Sequence, residues 1–359
     1  MKIFTSIIFV ITGFVLSAQN VVPMEDFNNY FKSFKNGFFQ TIEIQRIKDF
    51  KAGDNVVGYI DVRGNLVVYD GETKMNLANL QVEYEVSDNL LTWKIGTTLN
   101  IWDNGNKQTL TFNVGQYWVK DNIVVYEDRR YNSVNTYYKG KTITLYTSVG
   151  DLRSPDFVGE NIVAFQDNGG FNKVFWEGDI YEIDVWHDRF NFEAGTDILA
   201  FNDPISGTFA VFDKGGFMDV EEFHVPRYKA GRGFVVYENR NAELIYYRNG
   251  KTKPLTNFGA STWEVKDDIV VWIENGFFYA CVDGEKTEVV RYQPKDFLIK
   301  NNVVVFRDLM GGVSAFVNNQ VVSLTSQMNS EYEIYGSTVL VKLFNNSYVV
   351  YSEGKKYAL

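Results

Sequence analysis

The stretch NIVVYEDRRYNSVNTYYKGK, residues Asn122–Lys141, decides the fold because variants of it recur along the chain. FVVYENRNAELIYYRNGK begins at Phe234, and NVVVFRDLMGGVSAFVNNQ begins at Asn302. In each copy an apolar run ends at an aromatic residue, and a second apolar run then meets a short turn. Such runs suit strands that are covered on both faces. Each copy therefore predicts an antiparallel hairpin inside a core.

The aromatic residue that ends the first apolar run sets the period of the repeat, which is about 35 residues. It falls at Tyr59, Trp93, Tyr126, Phe165, Phe201, Tyr237, Trp272 and Phe306, with Val341 in the ninth copy. The second run of each copy ends in a Gly- or Asn-containing turn, such as Lys139-Gly140 or Asn249-Gly250. Glycine and asparagine tolerate the positive φ of two-residue hairpin turns.

Two further strands complete each copy. One follows the turn, and one precedes the first apolar run and carries an aromatic residue, as at Phe50 and Tyr84. Four short antiparallel strands at a fixed period are the blade pattern of a β-propeller. A linear β-solenoid has shorter coils and needs no hairpin turn in each copy. The sequence therefore predicts an all-β propeller of eight to nine four-stranded blades.

The copies that begin at Ile123 and Phe234 resemble the blades of TolB-type and archaeal surface-layer propellers. In those blades an apolar strand ends in an aromatic residue, a polar loop follows, and the unit closes on a G-K…LT exit. The resemblance covers roughly residues 45–359 and implies fold, not activity. Nine copies exceed the six or seven blades usual in that group, and the histidine and carboxylate features of catalytic propellers are absent.

The first residues, MKIFTSIIFVITGFVLSAQN, predict a secretory signal peptide over residues 1–18, cleaved between Ala18 and Gln19. Lys2 is followed by an apolar run to Leu16 that is too short to span a bilayer comfortably. The ending VLSAQ resembles signal peptides of the Bacteroidetes. No cysteine lies near the cleavage site, so the sequence predicts a periplasmic or extracellular protein that is not a lipoprotein.

The segment 19–37 is open to two interpretations. Phe27, Tyr30, Phe31 and Phe34 follow the spacing i, i+3, i+4, i+7, which favours a short amphipathic helix that ends near Gly37. Alternatively, Phe34–Gly37 mimics the turn of the repeat and predicts a strand. On the helical interpretation, residues 38–359 form a single propeller domain of nine repeats. The alternating segment Phe38–Arg46 would then supply a strand to the last blade.

The amino-acid composition disfavours some classes of function. The net charge is −10, with 45 acidic and 35 basic residues, whereas nucleic acids and anionic membranes attract basic surfaces. No nucleic-acid partner and no stable membrane insertion are expected. The leading hypothesis is a non-catalytic exported scaffold that binds an envelope protein or glycan. The alternative is an envelope glycosidase or lyase with a carboxylate site in the central channel, because paired carboxylates leave no local motif.

Few residues could carry chemistry, and we predict no catalytic, cofactor-binding or metal-binding residues. His187 and His224 lie in different repeats without the spacing of metal ligands, and Cys281 is expected to be a buried, inert thiol. Acidic residues recur just after the first apolar run, where polar loops would solubilise a sheet edge. The one basic loop is Asp128–Asn132, in which Arg129, Arg130 and Tyr131 form a possible ligand-contacting site.

Overall fold

The computed structural model describes residues 20–185, 190–344 and 346–359. Within these ranges the chain forms ten antiparallel sheets, of which nine have four strands and one has three. Each sheet is one blade of a ring. Strands within a blade are named a to d in chain order, and the a strands of neighbouring blades lie closest to one another around the centre.

The strand bounds follow the chain order of the blades. Blade 1 comprises β1 (Val22–Glu25), β2 (Phe31–Lys35) and β3 (Phe38–Glu43); blade 2, β4 (Asp49–Ala52), β5 (Val57–Ile60), β6 (Leu66–Tyr69) and β7 (Lys74–Ala78); blade 3, β8 (Glu83–Val86), β9 (Leu90–Ile95), β10 (Thr98–Asp103) and β11 (Asn106–Thr111); blade 4, β12 (Val114–Val119), β13 (Ile123–Asp128), β14 (Ser133–Tyr138) and β15 (Lys141–Thr147); blade 5, β16 (Phe157–Val158), β17 (Ile162–Gln166), β18 (Phe171–Trp176) and β19 (Asp179–Val185). Blade 6 comprises β20 (Phe192–Ala194), β21 (Ile198–Asn202), β22 (Phe209–Asp213) and β23 (Gly216–Glu221); blade 7, β24 (Tyr228–Ala230), β25 (Val235–Glu238), β26 (Leu244–Arg248) and β27 (Lys251–Pro254); blade 8, β28 (Thr262–Lys266), β29 (Ile269–Glu274), β30 (Phe277–Val282) and β31 (Glu285–Val290); blade 9, β32 (Phe297–Lys300), β33 (Val303–Arg307), β34 (Val313–Val317) and β35 (Gln320–Thr325); blade 10, β36 (Glu331–Tyr335), β37 (Thr338–Lys342), β38 (Tyr348–Ser352) and β39 (Lys355–Ala358).

The prediction that each repeat forms a four-stranded antiparallel blade is confirmed. Strands b and c are buried on both faces; every residue of β13 and of β14 is buried, for example. Strand d is exposed at its start, as in β15. The c–d turns take the positive φ that two-residue hairpins need, with φ of 52° at Asn249 and 73° at Gly250.

The core lies between blades. Apolar side chains of strands b and c in one blade pack against those of the next, so that Tyr138 of blade 4 meets Phe175 of blade 5 edge-on at 5.8 Å. A single blade would expose both apolar faces to water, whereas a ring covers both faces of every blade.

The number of blades was underestimated and the N-terminal helix is wrong. Residues 31–35 form β2 of an additional first blade, so the ring has ten blades instead of eight or nine. The helical spacing was coincidental, because the backbone N–H groups of Asn28 and Tyr30 donate to the Asp26 carboxylate and Asn29 takes a φ of 61°, which makes a turn. Phe31 is buried against blade 2 and Phe34 against blade 10, on opposite faces of one strand.

Ring closure also differs from expectation. Phe38–Glu43 pairs with β2 inside blade 1 and gives no strand to the last blade. The ring is instead closed by packing, because Val22 and Phe34 of blade 1 contact Leu340 and Tyr348 of blade 10. On the other side Phe31 packs against Tyr59 of blade 2, with ring centroids 5.2 Å apart.

The two faces of the ring differ in their connections. Because successive strands run in opposite directions, all a–b and c–d turns lie on one face, called here the turn face. The b–c and d–a connections lie on the opposite face, called here the loop face. The a–b turns surround the mouth of the central channel.

Candidate functional site

Exposed apolar side chains are concentrated on the loop face. Those in b–c loops are Phe27, Val62, Tyr131, Ile205, Leu309, Met310 and Phe344, and those in d–a connections are Ile44, Leu80, Phe112, Val149, Phe258 and Met328. None of the exposed large apolar side chains of the described residues lies within an a–b or c–d turn, although Phe38, Ile180, Phe217 and Val321 lie at the start of strand d, next to c–d turns. Isolated exposed apolar residues are ordinary on a protein surface, but the connections of one face carry them and the turns of the other face do not.

The acidic residues that recur after strand b hold these loops in shape. The Asp203 carboxylate accepts the N–H of Ile205 at 2.8 Å. The Asp308 carboxylate accepts the N–H groups of Met310 and Gly312, each at 2.9 Å. Each loop is therefore fixed by its first residue while the apolar side chain at its tip points into solvent. The recurrent carboxylates have a structural role.

The predicted residues Arg129, Arg130 and Tyr131 lie in the b–c loop of blade 4. The Arg130 backbone N–H donates to the Asp128 carboxylate at 2.9 Å, and its guanidinium lies 5.2 Å from the centre of the Tyr131 ring. The Tyr131 side chain is 63% exposed. The structure thus presents an arginine and a tyrosine together at the surface.

Two neighbouring connections extend this loop into a larger surface. The Arg129 N–H donates to the Asn113 carbonyl at 2.9 Å, next to the exposed Phe112. The Asn132 side-chain amide donates to the carbonyls of Ser148 and Gly150, both at 2.7 Å, on either side of the exposed Val149. Three loops are therefore tied together. We call Phe112, Arg129, Arg130, Tyr131 and Val149 the blade 4 patch.

A second apolar surface lies on the loop face of blade 9. A cavity of about 390 Å³ is lined by residues that include Tyr292, Arg307, Leu309, Met310 and Met328. Met310 is 76% exposed, and Arg307 is held by an ion pair of 3.1 Å to Asp296. Methionine side chains adapt to different partner shapes, which suits a contact surface.

The channel mouth on the turn face is polar. A cavity of about 510 Å³ there is lined by Asn20, Asp54, Asn55, Asp88, Asn89, Asp121, Asn122, Thr196, Arg232, Asp268, Asn301, Asn302, Gly336 and Ser337. Sequence reasoning missed this ring of a–b turns. The signal was present in the doublet Asp-Asn that stands before strand b at 54–55, 88–89 and 121–122.

A cross-channel network joins distant blades at this mouth. The Lys300 ammonium of blade 9 lies 2.5 Å from the Asp54 carboxylate of blade 2 and 3.0 Å from the Asp88 carboxylate of blade 3. The Asn301 side-chain amide also donates to Asp54, at 3.0 Å, and the Gly336 N–H donates to it at 2.6 Å. The network therefore connects blades that are not neighbours in the ring.

Burial and mutual repulsion shift the pKa values of these groups. Burial, reinforced by the negative charge of Glu160, raises the pKa of Asp121 to about 8. Burial and the Asp54 charge raise the pKa of Asp88, although Lys300 opposes them. Burial disfavours the charged form of Lys300, but the two carboxylates outweigh it and raise its pKa to about 12. Burial and the neighbouring carboxylates therefore favour the protonated form of Asp121.

The two histidines and the cysteine considered in the sequence are not part of the blade 4 patch, the blade 9 surface or the channel mouth as the structure describes them. The His224 ring nitrogen Nε2 lies 2.8 Å from the Asp203 carbonyl, and His187 falls outside the described residues. Cys281 is buried within β30, and burial raises the pKa of its thiol to about 11. Nowhere in the described ranges do three His, Cys, Asp or Glu side chains gather as a metal site requires. Within the same ranges no helix is long and apolar enough to cross a membrane.

The ten sheets of the described residues are the blades of one ring, and this arrangement defines a β-propeller. The chain belongs to the family described as the 10-bladed beta propeller domain, which it matches over residues 15–357. Among characterised protein sequences nothing matches.

Solved structures similar to the chain are distant in sequence. The computationally designed Ika8 protein is 16% identical, with 80% of this chain and 96% of that chain covered and a TM-score of 0.34. Hsv2p of Kluyveromyces lactis is 10% identical, with 66% and 92% covered and a TM-score of 0.31. The CRINKLY WD40 ectodomain from the Arabidopsis thaliana receptor kinase ACR4 is 11% identical, with 76% and 97% covered and a TM-score of 0.31. Likenesses at this level carry no argument about function.

Proposed function

We propose that the protein is an exported, non-catalytic scaffold that binds a protein partner through its loop face. One observation carries the proposal: every exposed large apolar side chain of the described residues that lies in a connection between strands lies on that face, and carboxylates hold several of these loops in place. A rigid ring that presents loops from one side offers a broad contact surface whose loops lose little entropy on binding.

The blade 4 patch is the proposed anchor of the interface. Tyrosine, tryptophan and arginine dominate the binding energy of protein interfaces, and this patch combines Tyr131 and Arg130 with Phe112. Its loops are joined by backbone and amide hydrogen bonds, so the aromatic side chains are held ready for contact. A protein partner fits this mixture of apolar and cationic groups, because the core of a protein interface buries apolar side chains such as Phe112 and Val149.

Export is the other part of the proposal. It rests on residues 1–18, which have the charged start, apolar run and small-residue end of a signal peptide and lie outside the described residues. Cell fractionation and the intact mass of the purified protein test it. A mature chain that begins at Gln19 in the periplasm or medium supports export, and an uncleaved chain in the cytoplasm contradicts it.

A matched pair of variants tests the interface. Phe112→Ser with Tyr131→Ser removes both aromatic side chains of the patch, and Lys141→Ser changes an exposed residue at the start of β15 in the same blade. A partner is first captured from envelope extract with the wild-type protein, and its binding is then measured with purified components. Truncation of two central aromatic residues is expected to weaken binding by at least about thirtyfold.

The control defines the outcome. Lys141→Ser should bind as the wild type does, and both variants should melt at the wild-type temperature. An unchanged dissociation constant for the double variant contradicts the assignment of the patch. A glycan array probed with the same proteins tests whether the partner is a glycan instead of a protein. That alternative is supported only if the wild type binds a glycan and the double variant does not.

A second candidate function has one specific observation in its favour. Burial and neighbouring carboxylates raise the pKa of Asp121 in the channel mouth, and a carboxylic acid with a raised pKa is the usual general acid of glycoside cleavage. Turnover of an envelope polysaccharide that Asp121→Asn abolishes would support an enzyme. The lining of that mouth contains no aromatic side chain on which a sugar ring could stack.

A further inference from the structure

The arginines of the described ranges fall into two groups. Five form an ion pair with an aspartate or glutamate, namely Arg227, Arg232, Arg248, Arg291 and Arg307. The other six are exposed and form no ion pair within those ranges, and all six lie in connections of the loop face: Arg46, Arg63, Arg129, Arg130, Arg153 and Arg240. The loop face therefore carries cationic side chains that no described carboxylate neutralises directly.

Three of these arginines meet at the start of β12 in blade 4. A Cβ atom placed on Gly115 would lie 3.0 Å from the Arg129 Nε, so this guanidinium lies against the first residues of the strand. The side-chain oxygen of the next residue, Gln116, accepts a hydrogen bond of 3.0 Å from the Ser154 hydroxyl. Ser154 follows Arg153, so Arg153 is held beside the same strand start as the two arginines of the b–c loop.

The carboxylates that precede the b–c loop are occupied by donors of the protein itself. The buried Glu127 carboxylate accepts the Gln116 N–H at 2.9 Å and the Ser154 hydroxyl at 3.3 Å. The buried Asp128 carboxylate accepts the Arg130 backbone N–H at 2.9 Å. Both negative charges lower the local positive potential, but neither forms an ion pair with a guanidinium group in the described ranges. The arginines therefore remain without a carboxylate partner.

The three guanidinium groups keep most of their hydrogen-bond donors. Each has five N–H groups. Within the described ranges the three together make one hydrogen bond, from Arg153 to the Gln166 side chain at 3.1 Å. The one exposed carboxylate of the three joined loops, as the structure describes them, is Asp151. An external carboxylate is therefore favoured at Arg129 and Arg130, which lie in a different loop from Asp151.

We infer that the blade 4 patch, together with Arg153, binds an acidic segment of the partner protein, in which aspartate or glutamate residues flank an aromatic or aliphatic residue. A guanidinium group binds a carboxylate through two parallel hydrogen bonds and is only weakly hydrated. The apolar residue of the segment packs against Phe112, Tyr131 and Val149, which are exposed. The inference rests on the proposed protein-binding function of this patch and adds the charge of the partner.

The overall charge of the protein makes this inference selective. The chain has a net charge of −10, so non-specific attraction favours basic ligands. At physiological salt the interaction of exposed charges is screened beyond about 8 Å. A preference for an acidic segment therefore reports cations close to the bound segment and not the charge of the whole protein.

Three labelled peptides that differ only in charge test the inference by fluorescence anisotropy with the purified protein. The acidic peptide is GEDFEDLG, the neutral peptide is GQNFQNLG and the basic peptide is GKKFKKLG. The acidic peptide should bind saturably and about tenfold more tightly than the neutral peptide at low salt, because hydrogen bonds to charged groups are the stronger ones. The advantage should shrink as the salt concentration rises, since exposed charges are screened. An excess of the basic peptide should not displace the acidic peptide.

A matched pair of variants locates the site. Arg129→Gln with Arg130→Gln should weaken binding of the acidic peptide by about tenfold and leave binding of the neutral peptide unchanged. Arg240→Gln makes the same chemical change at another exposed arginine of the loop face, which lies 3.9 Å from the centre of the Phe223 ring, and should alter neither. All variants should melt at the wild-type temperature.

The outcomes separate this inference from the proposed function. No saturable binding of the acidic peptide, or an equal loss in Arg240→Gln and in the double arginine variant, overturns the inference. Equal binding of the acidic and neutral peptides that Phe112→Ser with Tyr131→Ser abolishes also overturns it, but leaves the patch as a protein contact. A sulfated oligosaccharide that binds more tightly than the acidic peptide, and that the two serine substitutions do not affect, assigns the arginines to an acidic glycan instead.

Discussion

Replacing Lys300 by methionine tests how the ring is held at the channel mouth. The substitution keeps most of the apolar volume and removes the ammonium group that lies 2.5 Å from Asp54 and 3.0 Å from Asp88. Removing one partner of a fully buried ion pair costs about 3–5 kcal/mol. Here the Lys300 side chain is 21% exposed, and Asp54 keeps its bonds from Asn301 and Gly336. We therefore expect a loss of roughly 2–3 kcal/mol at pH 8.

The loss should depend on pH in a defined direction. Without Lys300 the pKa of Asp88 rises further, because burial and the Asp54 charge then act unopposed. A carboxyl whose pKa is raised in the folded state stabilises the fold below its unfolded pKa, about 4, and loses that contribution as the pH rises through the folded pKa. The difference between variant and wild type should therefore be small near pH 4.5 and large at pH 8.

Urea unfolding followed by the fluorescence of the seven tryptophans measures both effects. Lys295→Met makes the same chemical change at an exposed position of the same blade and should stay within about 0.5 kcal/mol of the wild type. Equal stability of Lys300→Met and wild type at pH 8, or an equal loss at both pH values, would refute the account of the network.

Three shorter predictions follow from single residues. Asp121→Asn should stabilise the protein increasingly as the pH rises towards 8, because it removes a buried carboxyl whose pKa is raised to about 8 and which must give up its proton on unfolding. A flat difference across pH 5–9 by thermal melting would count against this. Gly250→Val should lower the stability by about 1–2 kcal/mol, because the residue has a φ of 73°; calorimetry that shows no change would contradict the turn. Cys281 should react with a thiol reagent only after unfolding, since it is buried and burial raises its pKa to about 11; rapid labelling of the native protein would show that β30 is misplaced.

The repeat was readable from the sequence because each strand b and c is buried on both faces and each c–d turn needs positive φ. Burial on both faces requires apolar runs, as at Ile123–Tyr126, and positive φ favours Gly or Asn, as at Asn249-Gly250. Both features recur at a fixed spacing in the sequence. The first blade escaped this reading because its b–c loop, closed by Asp26, interrupts the repeat pattern and the segment was interpreted as a helix. Phe31 and Phe34 have helical spacing, but they face opposite neighbours.

The candidate sites could be predicted less well from the sequence than the fold, because side chains from several loops or turns come together to form each site. Arg129–Tyr131 was identified because a double arginine beside tyrosine is unusual in this acidic chain. Its enlargement by Phe112 and Val149 depends on hydrogen bonds between three loops, which no local pattern shows. The channel mouth is assembled from turns of nearly every blade, so each turn contributes only one or two residues and none of them is a motif alone.

The central claim is that the partner contacts the loop face, and site-specific photo-crosslinking tests it most directly. A photoreactive amino acid is placed at Tyr131 and Phe344 on the loop face, and at Lys139 and Asn318 in c–d turns of the turn face. In intact cells that express the exported protein, covalent adducts of the same partner should form from Tyr131 and Phe344 and from neither turn-face position. Adducts that form only from Lys139 and Asn318 would contradict the account.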